Sequence, residues 1–110
     1  MEAKVFTSGN LGNDAKVINF ENGKSVITFS IATNSYYTNA DGEQVQKTTW
    51  HDCKKFVRQI NDSFVEKLVK GATVTILGTL SYDEYDKEVT KTKFVKIKKV
   101  YIDVKAIEIL

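Results

Sequence analysis

Between positions 50 and 56 the chain reads Trp-His-Asp-Cys-Lys-Lys-Phe. In a strand, side chains alternate, so Trp50, Asp52, Lys54 and Phe56 share one face and His51, Cys53, Lys55 and Val57 the other. Trp50 and Phe56 then stand roughly 20 Å apart with a cation between them. Flat aromatic faces interleaved with Lys and Arg are what a nucleic-acid single strand requires. Its unstacked bases gain about 1–3 kcal/mol each on an aromatic, and its phosphates seek cations. Read alone, the two rings fit a barrel core equally well. Lys54 between them argues for the outward reading, because a charge rarely points into a small core.

Further aromatics sit at strand ends and in hairpins. Tyr36 and Tyr37 sit where a long strand runs into its loop, and Tyr82 and Tyr85 sit where a later strand enters a charged hairpin. Adjacent tyrosines face opposite ways, so each group offers a packing ring and an exposed one. Lys91, Lys93, Lys96, Lys98 and Lys99 crowd into nine positions, just after Asp83, Glu84, Asp86 and Glu88. The lysines read either as a solvated ribbon face or as a phosphate-binding arm, and the acids are placed to pair with them across the hairpin. The single His and single Cys, His51 and Cys53, supply two of the three or four ligands a zinc site needs, so packing is their expected role. No phosphate-cradling glycine loop and no catalytic carboxylate pair is present. The expectation is a non-enzymatic protein without metal or cofactor.

The 110 residues amount to one domain, 1–110, with ordinary globular composition and a net charge of +2. That charge alone does not announce a nucleic-acid partner, so its placement matters more than its sum. One cysteine cannot staple the domain, and no signal peptide or apolar span of about 20 residues appears. A soluble protein of a reducing cytoplasm, with no membrane association, is expected.

The elements that must position these residues are mostly strands. Lys4 to Ser8 is β-prone and is followed by a Gly9–Asp14 cluster that signals a bulge or bend. Asn22-Gly23 is a hairpin signal joining Val17–Phe20 to a strand from Ser25 to Thr33, whose Ile27, Phe29 and Ile31 share a face. A turn at Asn39–Gly42 precedes a strand from Gln46 to Phe56. Ile60, Phe64 and Leu68 then predict a helix over about Gln59 to Lys70, with a capping box at Ser63 and Glu66 and a stop at Gly71. A strand from Thr73 to Leu80, a charged hairpin from Tyr82 to Lys99, and a last strand from Val100 to Ile109 with Val100, Ile102, Val104 and Ala106 inward complete the chain. Three strands, one helix and two strands is the order of an all-β, five-stranded OB barrel, with one short helix between strands 3 and 4.

In this order the sequence resembles the bacterial single-stranded DNA-binding protein family. The matching stretches are Gly9-Asn10-Leu11-Gly12 with Asp14, Asn22-Gly23, Phe29 to Thr33, Thr49-Trp50-His51, Phe56, Lys70-Gly71-Ala72, and Gly78-Thr79-Leu80. The resemblance implies an OB fold, a homo-oligomer built as a dimer of dimers, and sequence-tolerant binding of single-stranded DNA during replication, recombination and repair. It also implies a bacterial cytoplasmic, nucleoid-associated setting and stacking by Tyr37, Trp50, Phe56 and Tyr85. Lys54, Lys55, Arg58, Lys91 and Lys93 are the expected phosphate partners. Two family tryptophans are tyrosines here, and the last hairpin is longer and richer in lysine. The family's acidic-tipped tail does not follow Leu110, so tail-mediated recruitment of other enzymes is not expected. The alternatives are an OB protein-interaction module of a primosome or conjugation apparatus, with weak or no DNA binding, and an RNA-binding OB domain.

Overall fold

The structure, a computed structural model, describes residues 2–110. Six strands and one helix follow one another: β1 (Lys4–Leu11), β2 (Lys16–Asn19), β3 (Ser25–Thr38), β4 (Gln44–Val57), α1 (Asp62–Lys67), β5 (Thr73–Thr90) and β6 (Lys93–Ile109). The sheet runs β1-β5-β6-β4-β3-β2 and closes through β1 onto β3, so five strands make the barrel and β2 lies outside the ring. This is the OB barrel expected from the sequence, with 16–19 standing as a strand of its own.

Closure happens at the glycine cluster. β1 pairs with β5 from Lys4 to Asn10, then meets β3 at Asn10–Ala32 and Leu11–Ile31. A Cβ on Gly9 would collide with the Ala32 carbonyl, so the residue serves a close backbone approach inside a continuous strand. The polar members of the cluster stitch the barrel end: the Asn10 side-chain amide donates to the Gly71 carbonyl and to Thr73 Oγ1, and Asp14 accepts the Lys70 N–H at 2.8 Å.

Alternation supplies the core. Leu11, Ile27, Phe29, Ile31, Cys53, Val74, Ile76, Ile102 and Val104 point inward and are buried, and Leu68 covers one end. The last strand departs from its expected pattern. Val100 is exposed because β5 and β6 have already left the barrel there. Ala106 is exposed because the register slips at Leu77/Gly78, where Leu77 faces Ala106 and Gly78 faces Val104. That bulge inverts the pleat and turns Ile107 and Ile109 toward the core instead.

The helix is shorter than its apolar periodicity predicts. Its N-cap is Asn61, whose side chain accepts from the Phe64 N–H, so the expected Ser63–Glu66 box does not form. Ile60 packs on the core from outside the helix. Gly71 does adopt the left-handed conformation (φ +90), in the turn after the helix, and its N–H donates to the Leu11 carbonyl.

Candidate nucleic-acid interface

The register of β2, β3 and β4 arranges the outer wall in rows. Lys16, Thr28 and Lys54 form one row, and Ile18, Val26 and Phe56 the next. On the other side of the lysine row come Ser30–Asp52 and Ala32–Trp50. Trp50 and Phe56 therefore occupy one wall at its two ends, with 59% and 52% of their surfaces exposed. They are not core residues; the inward positions of the strand belong to His51 and Cys53. Thr33 Oγ1 lies 3.0 Å from His51 Nε2, and Cys53 is buried, so both pack as expected. Among the described residues, no group of three or more His, Cys, Asp or Glu is placed to hold a metal ion.

Trp50 has a prepared seat. A Cβ on Gly12 would overlap the indole, so the ring lies against the bare Gly12 backbone with its cross-strand neighbour Ala32 beside it. Two small residues thus leave room for a large ring on the wall, and more than half of its surface stays in solvent. Sequence reading did not assign this role to Gly12, although the glycine cluster was its signal.

Lys54 is not a free cation. Its ammonium lies 2.5 Å from Asp83 and 4.5 Å from the centre of the Tyr101 ring. Asp83 comes from the base of the long β5–β6 ribbon, and Lys99, facing Asp83 across that ribbon, reaches Asp52 at 3.9 Å. Tyr101 was missed by the sequence reading. Its signal was its parity with Lys99, opposite to the inward Ile102. Asn13, Lys16, Asp52, Lys54, Asp83 and Tyr101 border a cleft of about 280 Å³ between the two exposed aromatics.

The other expected residues are spread more widely. Arg58 follows Phe56 past the end of β4 and is exposed, in a crevice with Phe20, Lys24 and Phe56. Lys55 lies on the opposite side of β4, bordering a different cleft with Ile27, Phe64 and Ile107. Tyr37 is exposed on the β3–β4 hairpin, but the pleat puts Tyr36, opposite Gln46, on the Trp50 side and Tyr37, opposite Val45, on the other. Tyr85 is exposed on the ribbon, opposite Ile97 and on the same side as Asp83 and Lys99. Lys91 forms part of the turn at the ribbon's tip and Lys93 follows it, about 30 Å along the strands from Ser81. Three of the ribbon's four acids face lysines, Asp83 opposite Lys99, Glu84 opposite Lys98 and Asp86 opposite Lys96, with Glu84 and Lys98 3.6 Å apart, while Glu88 faces Phe94.

The chain is similar to several single-stranded DNA-binding proteins. The chain is 35% identical over 82 residues to a single-stranded DNA-binding protein of Xylella fastidiosa, covering 74% of this chain and 49% of that one. It is 34% identical over 88 residues to the mitochondrial single-stranded DNA-binding protein of Danio rerio, covering 74% and 60%. The chain thus spans about half the length of the curated relatives it matches. Among solved structures, the Plasmodium falciparum SSB in complex with ssDNA superposes with a TM-score of 0.76 at 24% identity, covering all of this chain and 94% of that one. A deletion mutant of the Thermus aquaticus single-stranded DNA binding protein gives 0.79 at 20%, covering 97% and 49%. These two likenesses establish the shared fold. The model of the Single-strand binding protein family matches residues 2–110, the whole described barrel with its ribbon, and the chain belongs to that family.

Proposed function

We propose that this protein binds single-stranded DNA without strong sequence preference along the outer wall of β4, protecting strands exposed in replication, recombination and repair, and that it works as a homo-oligomer. The observation that carries the reading is Trp50: an indole seated on Gly12, more than half exposed, on the same wall as Phe56. Trp50 and Phe56 are the principal stacking platforms. Tyr85 extends them onto the ribbon, Tyr37 offers a further ring on the far side of the β3–β4 hairpin, and Arg58, Lys91 and Lys93 are phosphate partners. Lys54 joins them when a phosphate displaces Asp83. Lys55 belongs to another surface. Nothing in this assignment requires bond chemistry.

The relatives' names and the wall's composition favour this over an interaction module. Three of the four acids that motivated that alternative face lysines across the ribbon, so the run does not present an unbroken negative face. The test is a titration with oligo-dT at low and high salt, following Trp50 emission, with Trp50→Ala measured by anisotropy. Saturable quenching that weakens with salt, and a loss of about 1–3 kcal/mol in the variant, are expected. Absence of both quenching and anisotropy change at micromolar protein refutes the reading.

A further inference from the structure

Phe20 is an aromatic of the wall to which the reading above gives no role. Phe20 follows β2 and closes the Asn22-Gly23 turn: its N–H donates to the Lys24 carbonyl at 2.8 Å, and the Gly23 N–H returns to its own carbonyl at 3.3 Å. The turn is held further by the Lys24 N–H on the Asn22 side chain, with Gly23 at φ +80. Phe20 is therefore fixed in register opposite Lys24. It continues the side of β2 that carries Lys16 and Ile18, as Arg58 continues the side of β4 that carries Lys54 and Phe56.

The rows of the wall thus have a third member beyond Ile18–Val26–Phe56, namely Phe20–Lys24–Arg58, about 7 Å further along the strands. Val26 is buried between its neighbours, but Ile18, Phe20 and Phe56 all keep about half their surface in solvent. Phe20, Lys24, Ser25, Phe56 and Arg58 border one crevice of about 240 Å³ whose exposed lining is mostly carbon. A hairpin ring serving only to pack would be turned onto the barrel. This one is 46% exposed in a crevice that Lys24 and Arg58 also line. Glu21, which follows Phe20 in the chain, sits in the turn and does not border the crevice.

We propose that this crevice is a further subsite for one nucleotide of the strand, in which a base stacks on Phe20, and Lys24 and Arg58 hold its phosphate. The proposal rests on the DNA-binding reading above and deepens it. The bound strand does not leave the protein at Phe56 but runs over the β2–β3 turn. An apolar slot that includes Phe56 and is edged by two cations matches a base with its phosphates better than an uncharged partner.

The experiment compares Phe20→Ala, Trp50→Ala and the parent protein against a ladder of oligo-dT lengths by anisotropy. Phe20→Ala is expected to weaken binding of long oligonucleotides roughly five- to 150-fold, the value of one base stack, and to leave the shortest oligonucleotide that quenches Trp50 nearly unaffected. Lys24→Gln is expected to flatten the log–log salt dependence by about 0.7. Phe20→Trp in a Trp50→Phe background gives a direct readout at the turn, independent of any folding loss in the alanine variant: oligo-dT should quench it. Unchanged affinity of Phe20→Ala at every length, or no quenching of the new tryptophan while Trp50→Ala loses affinity, overturns the subsite and leaves the DNA-binding reading standing. A parent protein that binds no oligonucleotide overturns both.

Discussion

At the scale of single residues, the wall depends on what is missing as much as on what is present. Gly12 has no left-handed backbone requirement, so any residue fits its φ; what excludes a side chain is the Trp50 ring. Gly12→Ala should therefore leave the thermal midpoint nearly unchanged, since an exposed ring can swing away. It should still shift Trp50 emission and cost up to the stacking energy of one base, about 1–3 kcal/mol of oligo-dT affinity. Unchanged emission and affinity would show that the seat does not matter. Cys53 is the opposite case, a group the interior silences. Burial, helped by the Asp52 charge, pushes its thiol up to about 12. Because the raised value favours the neutral thiol in the fold, its stabilising effect is complete below the ordinary thiol value of 9.0 and is lost as pH climbs from there toward 12. At pH 8 the folded protein should resist a thiol reagent that labels it at once in denaturant. Rapid native labelling would contradict the burial. Period-2 alternation made both residues' faces legible: Trp50 out, Cys53 in. Gly12 as a seat was not legible, because contact between residues 38 positions apart is a property of barrel closure and not of either segment.

At the scale of elements, the ribbon of β5 and β6 is tied to the wall by Asp83–Lys54 and Lys99–Asp52. Both bridges are partly solvated, so each contributes at most about 1 kcal/mol to stability. Their greater effect is on binding, since Asp83 occupies the ammonium that a phosphate would use. Asp83→Asn should tighten oligo-dT several-fold at low salt, steepen the salt dependence by about 0.7, and lower stability by less than about 1 kcal/mol. Weaker binding in that variant would mean that the tether, not the competition, is what the strand needs. The sequence showed acids and lysines at facing positions because a hairpin fixes cross-strand partners from its turn. It did not show Lys54 as one of those partners, since β4 and β6 meet only at Cys53–Ile102 and Lys54–Asp103, a parallel contact that no local pattern announces. The helix was over-read for a related reason. Ile60 and Leu68 recur at helical spacing and do reach the core, but from the turns on either side of a six-residue helix.

At the scale of the whole molecule, charge and apolar surface divide the protein into two regions. Residues 81–100 hold six lysines and four acids, so the chain's net charge of +2 resides wholly in the ribbon. The barrel itself is neutral, and on the proposed reading the ribbon's surplus adds the field that draws a polyanion in. On the outside of β1 and β5, Phe6 pairs across strands with Leu77, with 74% and 42% of their surfaces exposed. Among the described residues, none pairs with the other edge of β1 along Lys4–Ser8. An open edge beside an apolar pair invites a second copy, and a domain this small gains stability by covering it. Assembly would also set several aromatic walls and ribbons on one particle, raising affinity for long strands by linkage without new contacts. Phe6→Glu should yield a monomer in sedimentation velocity where the parent protein sediments as a dimer or larger. The near-UV signal of the barrel should be retained, and so should affinity for short oligo-dT, while affinity for long oligo-dT falls. A parent protein that sediments as a monomer would refute the homo-oligomer. Loss of short-strand binding in Phe6→Glu would show instead that the wall of one copy is completed by its neighbour.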